Sequence, residues 1–295
     1  MEIYTIERLL MGTKFEHFIG FIKNVTFNNF LYNSLFKMGN KELGHFSVKI
    51  RKKDQQNVID SINNLNNIND LDNYCNKNIE IIEKEKLIII ISEWLDGIIP
   101  IENKGIVPEF FSKLAIFNKN NYCSGPYTSM YLDNKYFDTI NELLEWEMNY
   151  HKNYILGIFD YKILCEVLDY LKNGIGCIIN EDMNCGNIVF TKDGKYKIID
   201  TEWIIKGSNL YQFQHIDYFG FNGQKWYTIT EEAEKCYEAY FNTLEVKPIE
   251  ANEQIRAIEL LNIIRENTYW KNIGKENDSE IKRRIKIVLD KEKYI

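Results

Sequence analysis

Long apolar runs are missing from this chain. The longest, Leu87–Ile91, is far shorter than the about 20 residues a membrane-spanning helix needs. The N-terminus shows no signal-peptide pattern, so a soluble cytoplasmic protein without membrane insertion is expected. Basic runs are equally scarce. None exceeds Arg51-Lys52-Lys53 and the net charge is −7, which argues against nucleic acid as a partner and mildly favours neutral or cationic ligands. The six cysteines include no C-x-x-C pair, and His17, His45, His151 and His215 lack metal-ligand spacing, so free thiols and no zinc site are expected. Neither Ser124 nor any cysteine sits in a nucleophile elbow, which sets acyl transfer aside. Internal repeats and low-complexity linkers are absent too.

What is present is a chain of 295 residues, 45% of them hydrophobic: enough for one large or two moderate domains with a substantial core. Its organising stretch runs from Gly176 to Trp203, GCIINEDMNCGNIVFTKDGKYKIIDTEW. Asp182 is followed by four residues and then Asn187. Next come an apolar run, a turn at Lys192-Asp193-Gly194, and a second apolar run ending at Asp200. The pattern predicts loop, strand, hairpin turn, strand and acid. It sets Asp182 and Asn187 at one end of a hairpin and Asp200 at the end of the returning strand. Phosphoryl transfer uses such groups: a carboxylate to orient and deprotonate the attacking hydroxyl, and an amide with a second carboxylate for Mg²⁺. A structural hairpin with solvent-facing acids is the alternative reading of the same residues.

Asp182-x-x-x-x-Asn187 followed by Ile199-Asp200-Thr201-Glu202-Trp203 resembles the catalytic segment of the aminoglycoside phosphotransferase and choline/ethanolamine kinase superfamily. That group is the small-molecule branch of the protein-kinase-like fold, with a pattern near H-x-D-x-x-x-x-N and then I-D-[WF]-E. Asn180 stands where the family has His, a residue that chiefly supports the loop. The resemblance implies an α+β, two-lobed fold. Residues 1–96 would form a small antiparallel β-sheet N-lobe with one helix, and 97–295 a larger, mainly helical C-lobe with the catalytic loop and acceptor site. It implies an ATP-dependent kinase in which Asp182 deprotonates the acceptor and Asn187 and Asp200 hold Mg²⁺. Asp182, Glu202 and Trp203 would face the acceptor.

The resemblance extends upstream. Lys49, between Val48 and Ile50 in the predicted strand His45–Arg51, matches the lysine that pairs the ATP phosphates. An ordinary solvent-facing strand lysine is the alternative. Its usual partner is a Glu on the next helix, yet the candidate helix Asn57–Ile68 offers Asp60 and no Glu. Asn28 and Asn29, before an aromatic-rich strand, resemble the phosphate-covering turn without its glycines; Asn tolerates left-handed backbone, and a plain turn fits equally. After a predicted hairpin of Ile79–Glu83 and Leu87–Ile91, Ser92–Gly97 resembles the hinge, with Glu93, Trp94 and Leu95 against adenine. A turn is also expected at Gly39-Asn40.

Downstream the chain reads as helical. Pro108 opens a helix with Phe110, Phe111, Leu114 and Phe117 on one face. Thr139 and Glu142 form a capping box, a further helix stops at Asn173-Gly174, and Glu231–Phe241, Glu253–Arg265 and Glu280–Leu289 are amphipathic. Trp203, Tyr211, Tyr218, Trp226, Tyr227 and Trp270 supply aromatic surface that, beside a carboxylate, could hold an ammonium group. The family's later Asp is replaced by Phe213, with Asp217 four residues late. That local divergence is similar to kinases of bacterial polysaccharide and lipopolysaccharide assembly. The acceptor candidates are therefore choline or ethanolamine, an aminoglycoside, and a sugar or glycan hydroxyl. A pseudokinase without turnover is the rival reading. A protein kinase ranks lower, since no A-P-E-like segment follows Asp200.

Overall fold

The computed structural model describes residues 3–27, 30–42, 44–52, 55–84, 86–98, 108–132, 135–183, 187–213, 231–275 and 277–294. The first helix, α1 (Ile3–Leu10), precedes strands β1 (Ile22–Phe27), β2 (Phe30–Asn40) and β3 (Gly44–Lys52). Helix α2 (Gln56–Leu65), the short α3 (Leu71–Tyr74) and strands β4 (Asn78–Lys84) and β5 (Leu87–Glu93) follow. The five strands form one antiparallel sheet in the order β1-β2-β3-β5-β4.

Strand alternation decides which way β3 points its side chains. Val48 and Ile50 are buried with Ile89 and Ile91 against Ile6, Leu9 and Leu10 of α1. Lys49 and Arg51 must then project from the opposite face, where Ile88 and Ile90 of β5 pack on Val58 of α2. Both faces of β5 are therefore covered, which is why Leu87–Ile91 reads as an unbroken apolar run. The expected turn at Gly39-Asn40 lies further on, at residues 41–42, because β2 stays paired with β3 through Gly39↔His45 and Asn40↔Gly44. Gly39 has φ 109°, and a Cβ there would collide with the Gly44 carbonyl, so only glycine continues the strand.

A two-residue strand, β6 (Gly97–Ile98), leads out of the sheet and pairs with the hairpin that carries Asn187 and Asp200 at its ends. The helical part comprises α4 (Pro108–Asn120), α5 (Ile140–Ile155), α6 (Tyr161–Leu168), α7 (Glu231–Thr243), α8 (Pro248–Asn272) and α9 (Asp278–Asp290). Between α6 and α7 lie β7 (Gly176–Asn180), β8 (Ile188–Thr191), β9 (Tyr196–Ile198) and β10 (Ile204–Ser208). Phe110, Phe111, Leu114 and Phe117 of α4 are buried as the sequence predicts. The capping box forms as well: Thr139 Oγ1 accepts from the Glu142 N–H, and Glu142 Oε2 accepts from the Thr139 N–H. Helix α8 is longer than Glu253–Arg265 at both ends, starting with Pro248 at its first turn. Among the described residues no helix is long and apolar enough to cross a membrane, and Cys75, Cys123, Cys165, Cys177 and Cys236 are free thiols.

Candidate active site

The predicted hairpin is β8 and β9, with the turn between them and Asp200 just past β9. All of β7 is buried, which fixes the entry to the loop at Asn180. Asn180 Nδ2 donates to the Asp200 carbonyl (3.2 Å), and Asn180 Oδ1 accepts from the Asp182 N–H (3.1 Å). An amide thus ties the two acids together from the position where the family has His. Asn187 Nδ2 donates to the Asp182 carbonyl (2.9 Å) and to its Oδ2 (3.3 Å), while the Ile199 N–H bonds to the Asn187 carbonyl (2.7 Å). Asp182, Asn187 and Asp200 are therefore one hydrogen-bonded unit. Asp200 holds a left-handed backbone, φ 63°, which few residues other than Gly, Asn and Asp adopt readily.

Lys49 reaches this unit from the sheet. Its Nζ lies 2.7 Å from Asp200 Oδ1 and 3.3 Å from Glu202 Oε1. Two residues along β3, Arg51 grips Glu202 with both arms of its guanidinium, Nε to Oε2 at 2.7 Å and Nη2 to Oε1. Asp60 does not meet Lys49. Its carboxylate accepts instead from Gln56 Nε2 (2.8 Å) and from the Tyr136 hydroxyl. Helix α2 meets the far segment through other side chains, Ser61 Oγ donating to the Thr201 carbonyl and Asn64 Nδ2 to the Ile204 carbonyl (2.9 Å).

Glu93 ends β5, Trp94 and Leu95 follow it, and all three are half-buried. Glu93 pairs with Lys197 of β9 (3.4 Å), and Lys37 lies 4.3 Å over the Trp94 ring. Asn28 and Asn29 lie outside the described residues, as do His215, Asp217, Tyr218, Trp226 and Tyr227. Trp203 lines a cavity of about 170 Å³ with Asp60, Ser129, Met130 and Tyr136. Tyr211, one of the aromatics that could hold an ammonium group or belong to the core, is only 1% exposed and belongs to the core. Phe213 is core too, packed among Phe111, Tyr237 and Tyr240.

Behind the loop lies a charged group that the sequence did not reveal. Glu181, the neighbour of Asp182, is fully buried, its carboxylate accepting from Ser129 Oγ (2.7 Å) and the Met130 N–H (2.6 Å). Arg265 of α8 sits 3.2 Å from Glu181 and bonds through Nε to Glu147 of α5. The rings of Tyr131 and Tyr211 each lie 4.6 Å from its guanidinium carbon. Burial alone would raise the Glu147 carboxyl, but Arg265 and His151 outweigh it and hold it at about 2. At Glu181 burial prevails and pushes the carboxyl up to about 7, against Arg265, the Met130 N–H and the Ser129 hydroxyl. The available sequence signals were Glu147 and His151 at i, i+4 and an Arg directly after Ile263-Ile264; neither names its partner.

Among the described residues no three His, Cys, Asp or Glu side chains gather to hold a metal. The donor set here is an amide and a carboxylate. With its NH₂ turned to Asp182, Asn187 leaves Oδ1 without a hydrogen bond among the described residues. Asp200 is likewise engaged through Oδ1 alone, with its side chain 39% exposed. Amide and carboxylate oxygens are hard donors of the kind that suits Mg²⁺, which keeps waters and phosphate oxygens for the rest of its shell. Together with Lys49 the arrangement can receive a polyphosphate and hold a carboxylate, Asp182, near it.

No family model matches the chain, and no curated protein matches its sequence. Solved structures do match. Plasmodium vivax ethanolamine kinase aligns with a TM-score of 0.60 and 15% identity, over 97% of this chain and 87% of that one. A thermostable mutant of aminoglycoside phosphotransferase APH(4)-Ia, in ternary complex with ADP and hygromycin B, gives 0.59 and 13%, over 97% and 98%. Choline kinase LicA from Streptococcus pneumoniae gives 0.51 and 13%, over 91% of each chain. These structures are kinases of small molecules, and at such identities the likeness is one of fold.

Proposed function

Because the chain has the protein-kinase-like fold of these small-molecule kinases, we propose that it transfers the γ-phosphoryl group of ATP to a hydroxyl of a small molecule. The observation that carries this reading is the joining of Asp182, Asn187 and Asp200 into one hydrogen-bonded unit, with Lys49 brought onto it from the sheet. Residues 1–96 would cover the nucleotide, with Glu93, Trp94 and Leu95 at its base and Lys49 on its phosphates. Residues 97–295 would carry the catalytic loop and the acceptor site, the latter including Asp182 and Trp203.

In this mechanism Asp182 accepts the proton of the acceptor hydroxyl as its oxygen bonds to the γ-phosphorus. The bond from that phosphorus to the β–γ bridging oxygen breaks, and ADP leaves. Asn187 orients the Asp182 carboxylate, and its Oδ1 together with Asp200 would hold Mg²⁺. When bound, Mg²⁺ supplies positive charge to the β- and γ-phosphates. Lys49 adds a further cation where negative charge is held. The work is positioning and electrostatics, with no covalent enzyme intermediate.

Net charge and the fold neighbours favour an amino alcohol or an aminoglycoside as acceptor, and the divergence at Phe213 adds a sugar hydroxyl as a further candidate. The test is ADP release from Mg²⁺-ATP with ethanolamine, choline, aminoglycosides and sugars, for the wild type and Asp182→Asn. Acceptor-dependent ADP release that the variant loses supports the proposal. Nucleotide binding without Asp182-dependent turnover across the panel would favour a non-catalytic nucleotide-binding protein instead.

A further inference from the structure

In the superfamily that the catalytic segment resembles, the lysine of the third strand takes its carboxylate partner from the following helix. Helix α2 cannot supply one here. Asp60, its acid, is engaged by Gln56 and by Tyr136, and the residues of α2 that face the 201–204 segment are Ser61 and Asn64. Those two side chains donate to backbone carbonyls, so the helix is docked without offering a charge. Lys49 would then depend on Asp200, the acid proposed for Mg²⁺.

A second carboxylate stands beside it. Glu202 Oε1 is 3.3 Å from Lys49 Nζ, and both oxygens of Glu202 are held by Arg51. Lys49 and Arg51 are two apart on one strand and so share a face of the sheet. The side chains of Lys49, Arg51 and Glu202 are 15%, 17% and 15% exposed, which shields the cluster from the water that weakens surface pairs. A forked guanidinium on a carboxylate also fixes direction, which an ammonium cannot do. Lys49 and Arg51 balance Asp200 and Glu202 in charge, so the group is neutral before any ligand arrives.

We propose that Glu202, clamped by Arg51, is the carboxylate that positions Lys49 for the nucleotide phosphates. The partner comes from the segment after β9 instead of from α2. Arg51 is then a positioning residue acting through Glu202, and Glu202 serves the nucleotide side of the cleft, not the acceptor. The inference rests on the proposed role of Lys49.

Calorimetric titration with Mg²⁺-ATP and, separately, with adenosine tests it on the full chain. Glu202→Gln and Arg51→Lys should each weaken ATP binding by about tenfold, the lower end for loss of an outer-shell orienting partner. Adenosine, which has no phosphates, should bind both variants as it binds the wild type. Arg51→Lys keeps the charge and loses only the fork, so it reports even if Glu202→Gln folds poorly. In a Lys49→Met background, Glu202→Gln should cost nothing further, since nothing remains to be positioned. Wild-type ATP affinity in both single variants, equal losses for ATP and adenosine, or a full additional loss in the Lys49→Met background would overturn this proposal alone. A wild-type protein that binds neither ligand would overturn it together with the phosphotransferase reading.

Discussion

Lys49 Nζ lies 2.7 Å from Asp200 Oδ1, although 151 residues separate the two in the chain. One comes from the middle of the five-stranded sheet and the other from the end of the β8–β9 hairpin. Their pairing ties the sheet to the segment after β9. In the proposed mechanism a polyphosphate would share Lys49 with Asp200, and a divalent cation at Asp200 would ease that exchange.

Asp200→Asn should therefore keep the fold and lose the metal-dependent part of nucleotide binding. Asn tolerates the 63° φ that most residues resist. At a hundred times its dissociation constant, a ligand of the folded state adds about 2.7 kcal/mol of stability, a shift of several degrees. The wild type should show this shift with Mg²⁺-ATP and a smaller one with EDTA and ATP. An equal Mg²⁺ dependence in the variant would refute the assignment of Asp200.

Asn180→Leu should lower stability by about 1–3 kcal/mol, since it strands the Asp182 N–H and the Asp200 carbonyl in a buried setting. Urea denaturation reads the stability, and ADP release should fall with it because Asp182 loses its mount. A variant as stable and as active as the wild type would show that the amide bridge is idle.

The features that the sequence discloses are local, and those it hides are pairings across the chain. The β8–β9 hairpin was legible because Lys192-Asp193-Gly194 can only turn, with apolar runs on either side. The capping box at Thr139 was legible for the same local reason. Lys49 could be placed because its apolar neighbours Val48 and Ile50 fix the face. Arg51 and Glu202, in contrast, are paired only by the approach of β3 to the segment after β9, and nothing local marks that. Glu181, Arg265 and Glu147 meet from three separate elements. Helix α8 runs beyond the predicted Glu253–Arg265 because its buried residues extend from Ala251 to Thr268 around the helix, and a one-sided apolar pattern marks only part of it.

Arg265→Met should destabilise by about 3–5 kcal/mol, because it leaves Glu147 and Glu181 buried without their cation. Far-UV circular dichroism during thermal melting measures it. A melting temperature within a degree of the wild type would show that the buried cluster contributes no such coupling.

Glu181 should give stability a pH slope of definite sign. Its carboxyl rises from 4.5 in the unfolded chain to about 7 in the folded one. Between those values the folded state binds the extra proton, so this contribution is full below 4.5 and is lost as pH climbs through 7. Glu147, lowered to about 2, contributes stability above 4.5 and loses it only as pH falls below that value. Glu181→Gln keeps an acceptor for the Met130 N–H and cannot titrate. Urea midpoints at pH 5 and pH 8 should differ less in the variant than in the wild type. Identical slopes would remove Glu181 as their source.

Thr139→Ala should cost about 1 kcal/mol by opening the capping box of α5, the helix that carries Glu147. A loss below the error of equilibrium unfolding would mean that packing of α5 on α8 already saturates its stability.

The docking of α2 has a consequence for how such proteins diverge. Ser61 and Asn64 bind the carbonyls of residues 201 and 204, and a carbonyl is present whatever side chain follows it. Thr201 is thus free to drift while the contact survives, whereas Ile204 is held by its burial in the core, and Ser61 and Asn64 are constrained without a covarying partner. A pairwise comparison of homologues would pass over this junction in silence, even though it holds the helix to the segment that follows the β8–β9 hairpin.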